Sequence, residues 1–138
     1  GRACPCGKRG CLEEYASTTA LIARAERQTG RTGWNGRMIF EGASQGDPLL
    51  RLALDGWLDD VAAGVTGLVH IFNPELVLIG GGVSAQEELL LKPLRARVLA
   101  GVMPRFAERL HIERAVLGNN AGMIGAAKYF MDCEAERK

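Results

Sequence analysis

Three of the chain's four cysteines fall in one short run, Cys4-Pro5-Cys6-Gly7-Lys8-Arg9-Gly10-Cys11-Leu12-Glu13. Zinc takes thiolate and imidazole ligands in a closed tetrahedron. A C-x-C-x4-C spacing gathers three thiolates close together. Gly7 and Gly10 let the backbone curl around a small ion, and Lys8 and Arg9 offset part of the thiolate charge. The run therefore reads as a zinc knuckle short of one ligand. The spacing is less common than paired C-x2-C, and the structural alternative is three reduced cysteines on a tight loop. A Cys4–Cys6 disulfide is disfavoured, because the two residues are too close for easy bridging. The fourth ligand could come from His70, His111 or Cys133, or from outside the chain.

Glu13 follows the last thiol of the run by two residues and opens a helical pattern. A carboxylate there stabilises a helix N-terminus, or it accepts hydrogen bonds from substrate hydroxyls. Glu14 lies about a quarter-turn away and reads as solvated. A second glycine-rich point, Gly80-Gly81-Gly82-Val83-Ser84, follows a short apolar run. Glycines at the C-terminal edge of a parallel sheet let a ligand approach the backbone. Taken alone they read better as a tight strand-to-helix turn: the G-x-G-x-x-G spacing and a Walker motif are both missing. Gly118–Gly125 reads as a turn and helix cap, with Gly125, Ala126 and Ala127 suited to close packing.

These residues need elements to hold them. Leu12, Tyr15, Ala16, Thr19, Ile22, Ala23 and Glu26 follow the i, i+3, i+4 rule and predict one helix. It stops near Thr29-Gly30, where Gly takes the left-handed cap. Arg31–Arg37 reads as a loop and Met38–Ala43 as an ambiguous helical turn. Asp47-Pro48 starts the next helix as N-cap and first residue. Its apolar face is read as Leu49, Leu52, Ala53, Trp57, Val61, Gly64, Leu68 and Ile71, and it ends at Asn73-Pro74. Gly56, Gly64 and Gly67 weaken this helix unless another element approaches it closely. Leu76–Ile79 predicts a strand buried on both faces of a parallel sheet. Gln86–Leu99 predicts a helix kinked or restarted at Pro93, Leu110–Val116 a second strand, Met123–Cys133 a last helix, and Glu134–Lys138 a frayed tail.

The fold class is α/β, a βαβα core preceded by helices. The segments are 1–13 (zinc knuckle), 14–72 (helical) and 73–133 (βαβα). Two strands do not make a viable sheet alone, and the chain opens on Gly1-Arg2-Ala3 without a Met. Both points lead to the expectation that further strands belong to a part of the protein that precedes Gly1. The 138 residues, 47% apolar and 24% charged, suit one folded domain. A net charge of +1 favours neither nucleic acid nor an anionic membrane as partner. With no signal peptide and no bilayer-length apolar run, a cytoplasmic address is the default.

The run CPCGKRGCLEEYAS closely resembles the cysteine signature of the ROK family of repressors, uncharacterised reading frames and sugar kinases. Asn73-Pro74-Glu75-Leu76-Val77-Leu78-Ile79-Gly80-Gly81-Gly82-Val83-Ser84 resembles the family's strand-plus-glycine segment, and Asn120–Ala127 its C-terminal helix. The resemblance implies two lobes of ribonuclease H-like, actin-like architecture, with ATP and sugar in the cleft between them. This chain would be the C-terminal part, residues 1–138. Cys4, Cys6 and Cys11 would bind structural zinc with a His from an upstream E-x-G-H segment. That His also touches the sugar. Glu13 matches the sugar-contacting Glu, and Gly80 and Gly81 match the nucleotide-adjacent region. The aspartate-glycine phosphate loop, the Asp base, the glycine-threonine loop and E-x-G-H have no counterpart here. The implied whole is an ATP- and Mg²⁺-dependent hexose or amino-hexose kinase of glucokinase type, a phosphotransferase of carbohydrate metabolism. The chain alone is expected to be inactive, since it lacks the base. Tyr15-Ala16-Ser17 favours the kinases over a sugar-sensing repressor, the alternative. Uncovered apolar faces and the family's habit lead to an expected homo-oligomer.

Overall fold

The computed structural model describes residues 1–81, 84 and 86–136. Gly82 and Val83 of the glycine turn, and the end of the charged tail, lie outside the described residues.

The first helical stretch is two helices, not one. α1 spans Glu13–Ala16 and α2 spans Thr18–Thr29. Ser17 between them is extended, with ψ 163°, and its hydroxyl accepts from the Ala20 amide at 3.1 Å as the α2 N-cap. The break leaves the Ser17 carbonyl free for the Trp57 indole, which donates to it at 3.0 Å. α2 ends as expected at Gly30, whose φ of 68° is the left-handed cap.

The predicted loop at Arg31–Arg37 gives way earlier to a helix. α3 runs Gly36–Ser44, because the Asn35 side chain accepts from the Met38 amide at 2.9 Å and caps it. α4 then spans Pro48–Phe72. One Asp47 carboxylate oxygen accepts from the Leu49 and Leu50 amides at 2.9 and 3.1 Å, as the Asp-Pro start required. Asn73 closes the helix in the left-handed region and Pro74 prevents its return.

α4 is the central beam, with α2, α3 and α5 packed around it. Its buried face is Leu50, Ala53, Leu54, Trp57, Leu58, Ala62 and Val69. The face read from the sequence is therefore partly wrong: Leu49, Leu52, Leu68 and Ile71 are exposed. Apolar residues occur around much of this helix, so its own periodicity does not choose a side; the flanking helices do. Phe40 of α3 meets Trp57 edge-to-face, with ring centroids 6.4 Å apart. Arg24 of α2 pairs with Asp60 of α4 at 2.5 Å.

β1 (Leu76–Ile79) pairs in parallel with β2 (His111–Arg114), Leu76 opposite His111 and Ile79 opposite Arg114. Between them lie a π-helical turn at Glu87–Leu91, α5 at Lys92–Gly101 and the short α6 at Pro104–Ala107. Pro93 sits in the first turn of α5 and so restarts the helix. The expectation that β1 is buried on both faces is overturned. Val77 and Ile79 pack on the core, but Leu76 and Leu78 are 51% and 58% exposed. Among the described residues no layer covers that side of the pair. A 3-10 turn at Gly118–Asn120 leads into α7, Ala121–Glu136, whose side chains over 121–132 are all exposed. The close packing expected at Gly125 is not made: a Cβ there would meet nothing within 4 Å.

The three glycines inside α4 separate by what they face. A Cβ at Gly56 would lie 2.3 Å from an Arg24 guanidinium nitrogen, and one at Gly64 would lie 2.8 Å from a Leu12 methyl carbon. At Gly67 it would meet nothing. Ala is favoured over Gly in a helix interior by about 1 kcal/mol. Gly67→Ala is therefore expected to stabilise by about that amount. Gly56→Ala makes the Arg24 guanidinium shift beside Asp60, so it is expected to gain less than Gly67→Ala and to fall at or below wild type. Urea unfolding midpoints check this: that of Gly67→Ala should rise and that of Gly56→Ala should lie below it.

Candidate functional site

The thiol loop is a small hairpin. Ala3 and Arg9 form an antiparallel bridge, the Cys4 amide donates to the Lys8 carbonyl at 2.9 Å, and the Gly7 amide donates to the Cys4 carbonyl at 3.0 Å. Gly7 and Gly10 have φ of 86° and 77°, a conformation that L side chains rarely adopt. This is the curl that the two glycines predicted. It turns the three sulfurs inward.

The sulfurs of Cys4, Cys6 and Cys11 all lie within 4.8 Å of one another, and Cys6 Sγ is 3.6 Å from Cys11 Sγ. In a tetrahedron with zinc–sulfur bonds of about 2.3 Å, sulfurs sit roughly 3.8 Å apart. The donor set therefore fits a tetrahedral zinc with one ligand still to be supplied. Neighbouring backbone and thiol groups shift the ionisation of Cys4 and Cys6. The backbone amide of Lys8, helped by the neighbouring thiols, holds the Cys6 thiol below its usual value. A hydrogen bond from the Cys6 backbone also pulls Cys4 down, but sharing with the Cys6 and Cys11 sulfurs outweighs it and pushes Cys4 up to about 11. Three adjacent thiols resist full ionisation until a positive ion arrives.

No fourth protein ligand joins this cluster among the described residues. Of the three candidates within the chain, His70 is occupied elsewhere. Its Nε2 accepts from the Met103 amide at 3.2 Å and its ring meets Phe106 edge-on. His111 opens β2, where its amide donates to the Glu75 carbonyl at 2.8 Å. Cys133 lies on α7.

The hairpin is tied down by contacts that motif reading did not assign. The Arg2 amide donates to the Tyr15 hydroxyl at 2.8 Å, while its guanidinium lies over the Tyr15 ring and donates to the Glu14 carbonyl at 2.6 Å. The same guanidinium is 3.9 Å from Asp60 of α4. Leu12 lies across Gly64. The interior glycine of α4 was the one advance signal of such an approach; the Arg2, Tyr15 and Asp60 contacts left none.

Glu13 is the first residue of α1 and is exposed. Its carboxylate has no hydrogen-bond partner among the described residues. It lines a cleft of about 210 Å³ with Arg2, Pro5, Glu14, Ser17 and Arg27. Glu14 is half-buried, not fully solvated. Gly80 and Gly81 lie just beyond β1 and do not line this cleft. Gly81 has φ 93°, and its carbonyl accepts from the Ser84 amide and hydroxyl at 3.1 and 2.8 Å. Among the described residues, a Cβ at Gly81 would meet nothing within 4 Å.

The family model described as the ROK family matches residues 1–132. The chain belongs to the ROK family. Its relatives include a glucokinase of Thermotoga maritima, 37% identical over 92% of this chain and 44% of that protein. A xylose repressor of Caldicellulosiruptor bescii is 31% identical over 88% of this chain and 34% of the repressor. Among solved structures, a ROK family glucokinase from Streptomyces griseus in complex with glucose and AMPPNP superposes with a TM-score of 0.79. It is 32% identical, over 94% of this chain and 47% of that one. The α/β ROK fold is thus as expected, and the chain spans less than half the length of the curated relatives it matches. No helix among the described residues is long and apolar enough to cross a membrane.

Proposed function

We propose that this chain is the C-terminal part, residues 1–138, of an ATP-dependent hexose kinase of glucokinase type. The observation that carries the reading is the three-thiol hairpin with Glu13 opening α1 directly after it, in a chain that resembles glucokinases over nine-tenths of its length. Cys4, Cys6 and Cys11 would hold zinc, which supplies a rigid cross-link for the loop and takes no part in the chemistry. Glu13, fixed by that loop, accepts hydrogen bonds from sugar hydroxyls and orients the ring. Gly80 and Gly81 leave the backbone open to the nucleotide at the C-terminal end of β1. ATP and Mg²⁺ bind in the intact protein, where Mg²⁺ offsets phosphate charge.

Phosphoryl transfer needs a base within hydrogen-bond reach of the attacking hydroxyl, and no residue of this chain matches the family's Asp. The expected result is therefore no glucose-dependent ATP turnover by residues 1–138 alone, and clear turnover by the intact protein. A coupled NADPH assay on both checks it; turnover by 1–138 above a no-protein control would refute the division of labour. The exposed apolar residues Ile71, Phe72, Leu76 and Leu78 support association with further polypeptide, which we assign to the rest of the protein and to a homo-oligomer. The similarity to a xylose repressor supports a second reading, a sugar-sensing lobe without kinase activity. Sugar binding without phosphorylation, together with specific binding to duplex DNA, would favour it.

A further inference from the structure

We propose that Cys6 and Cys11 are a peroxide-sensitive pair that closes into a disulfide and so opens the loop beneath Glu13. The consequence for the sugar rests on the zinc reading above; the disulfide itself needs only the two sulfurs.

Cys6 Sγ and Cys11 Sγ are 3.6 Å apart, about 1.5 Å more than a disulfide bond. Cys6 is exposed, while Cys4 and Cys11 are partly shielded. The backbone between the pair contains Gly7 and Gly10, both in the left-handed region, and neither is crowded at its Cβ position by a neighbouring side chain. Opening this stretch breaks hairpin hydrogen bonds, from the Gly7 amide to the Cys4 carbonyl, the Cys4 amide to the Lys8 carbonyl and the Gly10 amide to the Arg2 carbonyl. It displaces no side chain packed on the two glycines. Cys4 is partly shielded and is tied by its own backbone to both Gly7 and Lys8. Cys6 at the exposed tip is therefore the sulfur that meets an oxidant, and Cys11 is the one that resolves it.

The chemistry balances with a hydroperoxide as the two-electron oxidant. The Cys6 thiolate attacks one peroxide oxygen, the O–O bond breaks, and the leaving oxygen departs as water or alcohol with a proton from solvent. Cys6 is then a sulfenic acid. The Cys11 thiolate attacks the Cys6 sulfur, the S–S bond forms, and the hydroxyl leaves as water with a second proton from solvent. Only Cys4 then remains as a thiolate donor, too few for a closed tetrahedral site. Glu13, two residues beyond Cys11, loses the fixed base that orients it.

The test uses the intact protein, reduced and zinc-replete, treated with hydrogen peroxide. Trypsin cuts after Arg2, Lys8, Arg9 and Arg24, so a Cys6–Cys11 bond joins peptide 3–8 to peptide 10–24. The expected result is that joined peptide with Cys4 free for alkylation. One zinc should be released per bond, as read by a chromogenic chelator. Glucose affinity should fall at least tenfold, and dithiothreitol plus zinc should reverse both changes. Cys4→Ser should keep the cross-link and Cys6→Ser should abolish it. Zinc release without the joined peptide, or Cys6 oxidised to sulfonic acid with Cys11 free, overturns the proposal and leaves the zinc reading standing. If the protein takes up no zinc when reduced and loaded, yet forms the cross-link on oxidation, the zinc reading is overturned and the disulfide stands. The peptide map of the unaltered protein decides the matter even if a variant fails to fold.

Discussion

Cys11→Ser in the intact protein is expected to lower zinc affinity by at least about a hundredfold and to weaken glucose binding in the same preparation. A serine hydroxyl is a poor zinc ligand at neutral pH, and two thiolates cannot close the tetrahedron. The coupling to sugar follows from the chain itself. Cys11 is followed by Leu12, which lies across Gly64, and then by Glu13. Without the metal cross-link the hairpin keeps only its backbone hydrogen bonds and the Arg2 contacts, so Glu13 is held less firmly. Elemental analysis and calorimetric glucose titration of the same sample check both effects. Loss of zinc with unchanged glucose affinity would separate the scaffold from the site.

Glu13→Gln is expected to do the reverse: zinc stays and sugar recognition suffers. The substitution keeps shape and removes charge. Hydrogen bonds from hydroxyls to a carboxylate are worth about 1.5–3 kcal/mol, roughly twice those to a neutral group. A drop of about tenfold or more in kcat/KM for glucose is therefore expected, with KM for ATP unchanged. The carboxylate is exposed and has no partner among the described residues, so its change should leave the unfolding midpoint where it was. A fall in stability together with activity would assign Glu13 to the fold instead.

The features legible in the sequence are those whose causes are local. Asp47-Pro48 and Gly30 start and stop helices through groups one to four residues away, and they do so here. The thiol cluster is legible for the same reason, since Gly7 and Gly10 determine its curl within the hairpin. What was missed depends on distant partners. Ser17 breaks α1 from α2, and its freed carbonyl receives the indole of Trp57, forty positions on. The buried side of α4 is chosen by α2, α3 and α5, because Leu49, Leu50, Leu52, Leu54 and Leu58 offer apolar surface in several directions. The apolar run of β1 suggested two covered faces, and among the described residues only the side of Val77 and Ile79 is covered. Arg2, which with Tyr15 holds the hairpin on α1 and toward Asp60, looks like an ordinary surface residue until the helices are assembled, and Tyr15 reads only as part of a helix face and of the family signature.

On the function proposed above, three thiols hold a zinc ion whose task is to position Glu13 against a sugar. Glucose titration of the intact protein before chelation, after removal of zinc and after its return tests this most directly. The expected result is one zinc per chain, a loss of glucose affinity of at least tenfold on its removal, and recovery when zinc is restored. Equal glucose affinity in the zinc-free and zinc-replete protein would contradict it.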